Sequence, residues 1–214
     1  MKIYYLNIPA STDDTGINLT TMALTTYLIE KSEFFSLIYY YNQNEPMTEE
    51  CIDMRENLAR LRVASERTTV WPGNSVTNID RSSYYEIVYY STTDKNPGDP
   101  DWDERHTARM LLSPVENYCD WDFPRLPMDL CFYRNDLCWF SVVAHENLIA
   151  VYTDSEQEIK EILSIGTKLS EDYGGIDVEN PTIESVYDDN ENKYIFHIPK
   201  TILRQMQNSQ ESLC

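Results

Sequence analysis

Two hydrophobic periods interchange along the first half of the chain. Residues 2–8 read as a short extended run. After a turn-rich stretch at 10–16, Ile17, Leu19, Met22, Ala23, Tyr27 and Leu28 recur at helical spacing. Residues 34–41 are aromatic and β-prone throughout, which predicts a buried or half-buried strand. Thr48 then stands where a cap is needed, because its hydroxyl can accept from a backbone N–H left unpaired in the first turn of a helix. Glu49 and Glu50 would lie beside the positive helix end, and Met47, Cys51, Met54, Leu58 and Leu61 share one face. Trp71-Pro72-Gly73-Asn74 reads as a turn and residues 84–92 as a strand with tyrosine on both faces. Residues 94–103 read as a loop, given Asn96-Pro97-Gly98-Asp99-Pro100, and the three prolines of 113–127 predict an irregular segment tied down by Trp121 and Phe123.

The second half has a different rhythm. Residues 130–133, a turn at Arg134-Asn135-Asp136 and residues 137–144 predict a hairpin. His145-Glu146-Asn147 predicts a second turn, and residues 148–152 a third strand. The middle strand is apolar on both faces, which places it inside a sheet with cover on each side. Asp154 followed by Gln157 suggests a capping box, Ile159, Ile162 and Leu163 a buried stripe, and Gly166 a helix stop. Residues 194–198 read as a strand and residues 200–207 as a short helix. The pattern therefore predicts an α+β fold: a mixed, mainly antiparallel sheet flanked by helices, with a central three-strand meander followed by a helix. No flexible linker separates the halves, so one domain over 1–214 is expected, with a division into 1–112 and 113–214 as the alternative.

Charge narrows the classes of function. The 17 Lys and Arg against 36 Asp and Glu leave a formal charge of −19. Such a surface repels phosphate backbones and anionic lipid and speeds encounter with basic partners, so direct nucleic-acid binding and membrane binding are not expected. No apolar run approaches the roughly 20 residues of a membrane helix, and the first residues lack the pattern of a signal peptide. Five scattered cysteines without a Cys-x-x-Cys pair fit a reducing compartment, so a cytoplasmic location is expected.

Candidate chemistry is sparse. Asp99, Asp101, Asp103, Glu104 and His106 place carboxylates at alternate loop positions, where Asp101, Asp103 and His106 could meet one divalent cation. Arg105 interrupts them, however, and a solvated acidic loop is the simpler reading. His145-Glu146 could pair as acid and base but also suits a polar turn. Cys119, Cys131, Cys138 and His145 do not have the spacing of common zinc knuckles, and the 6 glycines form no phosphate-cradling loop, so no metal or other cofactor is expected.

What remains is tyrosine and acid. The chain has 16 tyrosines, several of them adjacent in expected strands, where alternate rings must point to opposite faces. Between residues 171 and 192 there is no Lys or Arg, and acids crowd together. Tyr84, Tyr89, Asp172, Asp177, Glu179, Asp188, Asp189 and Glu191 are accordingly the candidate partner-binding residues, the rings as anchors and the charges for steering. The expectation is an acidic protein-binding inhibitor that neutralises a basic partner such as a toxin or nuclease, similar in size and composition to bacterial immunity proteins. It would be a monomer or weak oligomer, and recognition is favoured over catalysis. Two other readings stay open: a DNA mimic acting against defence proteins, and a metal-assisted enzyme built on the 101–106 loop.

Overall fold

A computed structural model describes residues 2–10, 18–69, 83–94, 103–112, 115, 117–170 and 198–211. Its strands are β1 (Lys2–Asn7), β2 (Phe34–Tyr41), β3 (Arg62–Thr68), β4 (Tyr84–Ser91), β5 (Met128–Arg134), β6 (Leu137–Val143), β7 (Leu148–Thr153) and β8 (Lys168–Leu169). Its helices are α1 (Leu19–Lys31), α2 (Glu49–Asn57), α3 (His106–Leu112), α4 (Glu156–Ser164) and α5 (Lys200–Glu211). The eight strands form one sheet in the order β3-β4-β2-β5-β6-β7-β1-β8, and every pairing among the described residues is antiparallel. The fold is α+β, with β5, β6 and β7 as the central meander and α4 following it. Strands from both halves of the sequence interleave, since β1 pairs with β7 and β2 with β5.

Burial explains why these runs form strands. On one face of the sheet, Phe35, Leu37 and Tyr39 of β2 and Val88 and Tyr90 of β4 pack under Leu24, Leu28 and Ile29 of α1. Cys51 of α2, Ala108 and Leu112 of α3, and Ile159 and Ile162 of α4 complete that layer. On the other face, Ile38, Ile87, Tyr89, Tyr133, Cys138 and Tyr152 lie under Ile198 and, from α5, Ile202 and Met206. Because both faces are covered, β6 is apolar throughout, and Trp139 and Phe140 are buried on the same strand as Cys138. No helix among the described residues is long and apolar enough to cross a membrane.

Several local expectations are corrected. The cap of α4 is Ser155, one residue later than Asp154, with its Oγ accepting from the Glu158 N–H at 3.2 Å. The turn between β5 and β6 is shorter than expected, only Asn135 and Asp136, with Asn135 left-handed at φ 55°. β3 reads poorly as a strand because its run Arg-Val-Ala-Ser-Glu-Arg-Thr is half polar; it forms because β4 offers it a pairing edge. The segment expected to be irregular contains a 3-10 turn at Tyr118–Asp120, and Trp121 is fully buried beside it. Tyr89 was expected to present its ring outward. It is instead completely buried, against Tyr133 at 5.9 Å between ring centres, because α5 covers the face on which it lies. The strand expected over 194–198 falls almost wholly outside the described residues.

Candidate functional site

The tyrosines converge where β2 ends and β4 begins. Antiparallel register sets Tyr41 opposite Tyr84 and Tyr40 opposite Tyr85, and both pairs stack, at 4.5 Å and 4.9 Å between ring centres. Asn42 turns the chain away from β2: its Oδ1 accepts from the Asn44 N–H at 2.9 Å and its Nδ2 donates to the Tyr40 hydroxyl at 3.2 Å. The chain then returns past Pro46 and Met47 to Thr48, which caps α2 through the Cys51 N–H. The Thr48 hydroxyl and N–H both donate to the Pro124 carbonyl, anchoring the start of the helix, while the Phe123 ring meets Tyr40 edge-on. Tyr40, Tyr41, Asn42, Gln43, Pro46, Met47, Ile52 and Tyr84 together line an open, largely apolar groove of about 370 Å³.

Ile52 is the unusual member. It lies one position beyond the buried Cys51 and so is rotated off the helix face that packs on the sheet, leaving it 41% exposed. The helix beside it carries Glu49, Glu50, Asp53 and Glu56, all exposed, and Glu45 is exposed in the preceding loop. The groove lining is thus largely apolar and aromatic, and on α2 Glu49 and Glu56, one turn to either side, share the face of Ile52.

A charged network braces the groove wall from behind. The Tyr41 hydroxyl donates to Glu86 at 2.9 Å, and the same carboxylate receives Arg55 at 2.8 Å and Arg62 at 3.0 Å. Arg55 also lies over the Tyr39 and Tyr41 rings, and Arg67 covers the Tyr84 ring at 3.7 Å. Burial pushes the Tyr41 phenol well above its ordinary value, and the adjacent Glu86 carboxylate adds to that shift, so Tyr41 remains a neutral donor. Beneath the helix, burial pushes the Cys51 thiol up to about 11, against a smaller opposing pull from Arg55, which leaves it a packing group rather than a nucleophile at neutral pH. On the far side of this network, Arg55, Glu56, Ala59, Arg62 and Tyr90 line a smaller recess of about 150 Å³.

Of the residues singled out from the sequence, Tyr84 lies in this groove, while Tyr89 is in the core. Asp172, Asp177, Glu179, Asp188, Asp189 and Glu191 lie outside the described residues, as does Asp101. Asp103 is held by Arg109 and accepts from the Arg105 N–H, and His106 is an exposed residue opening α3. His145 and Glu146 sit 3.7 Å apart, exposed in a 3-10 turn. Cys131 and Cys138 are buried on the α5 side of the sheet, whereas Cys119 packs at the edge of the other core, and among the described residues no group of three or more His, Cys, Asp or Glu is placed to share a metal ion. Met47, Pro46 and Ile52 escaped the sequence reading as binding residues. The available signal was Ile52, an apolar residue off the buried stripe of an otherwise acidic helix.

No family model matches the chain, and comparison with curated proteins and with solved structures gives no significant match.

Proposed function

We propose that this protein binds a basic partner protein, and by occupying it acts as an inhibitor, with the groove between α2 and the β2–β4 strand ends as its docking site. The observation that carries this reading is the exposed Ile52 beside the half-buried Met47 and Tyr84 in one groove, on a helix whose exposed Glu49, Glu50 and Asp53 follow the exposed Glu45 of the preceding loop. A rigid aromatic cleft supplies an anchor with little ordering cost, and the surrounding carboxylates steer and orient a cationic segment. The overall charge of −19 acts in the same direction at longer range.

The test is a titration of the full chain with the labelled peptide Lys-Lys-Trp-Lys-Lys, followed by anisotropy at two salt concentrations. Saturable 1:1 binding that weakens with salt is expected, with Ile52→Glu weakening it at least about tenfold, or about 1.4 kcal/mol. Ile52 is already exposed, so that variant should keep its melting temperature. Binding that survives Ile52→Glu unchanged would reduce the effect to general charge attraction and remove the groove from the argument.

A further inference from the structure

The surface of α2 is not uniformly acidic. Its beginning, which gives Ile52 to the groove, carries Glu49, Glu50 and Asp53, whereas its end and the start of β3 bring Arg55 and Arg62 to the smaller recess, with Arg60 and Arg67 nearby in sequence. In a chain with 17 basic and 36 acidic residues, four arginines within residues 55–67 are a local reversal of sign. The recess is linked to the groove through one chain of hydrogen bonds. Tyr41 lines the groove and donates to Glu86; Glu86 holds Arg55 and Arg62; and those two arginines line the recess. Arg55 and Arg62 retain 36% and 41% side-chain exposure; each donates to Glu86 through Nη2, the Arg62 Nη2 also donates to Ser65 Oγ at 2.6 Å, and a guanidinium has five N–H donors in all.

We propose that this recess is an anion subsite of the same docking surface, taking a carboxylate of the bound partner segment while the groove takes its apolar anchor. The inference rests on the groove reading above and adds to it a charge order: cationic residues on one side of the anchor, a carboxylate on the other. Geometry sets the spacing. Ile52 lines the groove and Glu56 the recess, four residues apart on one helix face, which is about 6 Å along the axis at ~1.5 Å per residue. An extended chain covers that in about two residues at ~3.3 Å each. Two guanidinium groups held by the Glu86 carboxylate leave one positive charge, which Glu56 on the recess wall offsets, so the attraction rests on the two forks together favouring a planar carboxylate that can accept from both.

Four labelled peptides test this on the full-length protein: Lys-Lys-Trp-Ala-Glu and Glu-Ala-Trp-Lys-Lys, which cover both chain directions, and their counterparts with Gln for Glu. One of the two Glu peptides is expected to bind about fivefold more tightly than its Gln counterpart at low salt, the scale of a partly exposed ion pair. Arg62→Gln should erase that preference without weakening the Gln peptide, and Glu56→Gln should enlarge it. Ile52→Glu should weaken all four peptides. Equal binding of Glu and Gln peptides in both directions overturns the anion subsite and leaves the groove standing. Failure of all four to bind overturns both. Should Arg62→Gln lower the melting temperature, the gain in Glu56→Gln, whose side chain is exposed, decides alone.

Discussion

At the scale of single residues, the groove depends on protonated groups packed behind it. Cys51 has an ordinary thiol value of 9.0 and is pushed up to about 11 in the folded chain, chiefly by burial. A group whose folded value lies above its unfolded value contributes its stability fully below the unfolded value and loses it as pH rises through the folded one. The same sign holds for the buried phenols of Tyr39 and Tyr90 and the partly buried one of Tyr41, all pushed up chiefly by desolvation. Stability should therefore fall steadily from about pH 9 to about pH 11 and beyond, with thiol and phenol ionisation appearing only as the chain unfolds. Urea midpoints measured across that range, with phenolate absorbance recorded in parallel, check this. A urea midpoint that stays level from about pH 9 to about pH 11 would contradict the packing of Cys51, Tyr39 and Tyr90.

At the scale of elements, α5 has the largest single task, because it alone among the described helices covers the second face of the sheet. Its Ile202 and Met206 are each 2% exposed over Ile38, Ile87 and Tyr89. Met206→Ala is expected to cost about 2–5 kcal/mol, the range for emptying a buried site of that size. Gln207→Ala, on the exposed side of the same helix, should change stability by less than about 0.5 kcal/mol. Chemical denaturation of the two variants makes the comparison, and equal effects would mean that α5 is not docked where it is described. The elements were legible to different degrees for physical reasons. β2 has the limits its aromatic run predicted, and the cap of α2 is the predicted Thr48, because both signals are local. β3 was not legible, since half its residues are polar and it owes its conformation to pairing with β4.

At the scale of the whole molecule, the excess of 19 negative charges opposes compaction as well as steering partners. Raising sodium chloride from about 10 mM to about 300 mM shortens the screening length from ~30 Å to under 10 Å, so the melting temperature at neutral pH should rise by a few degrees. The same salt should weaken peptide binding in the groove. Thermal scans and titrations in matched buffers test both, and a melting temperature that falls with salt would show that favourable ion pairs outweigh the repulsion. By itself the sequence determined the fold class, the central meander and the acidic, tyrosine-rich character, because these follow from periodicity and composition summed along the chain. Only the tertiary structure decided which rings are available. Tyr84 and Tyr89 sit in one strand with similar neighbours in sequence, yet Tyr84 lines an open groove while Tyr89 is sealed beneath α5. Strand alternation assigns a side chain to a face of the sheet, and whether that face meets water depends on a helix more than a hundred residues away in sequence.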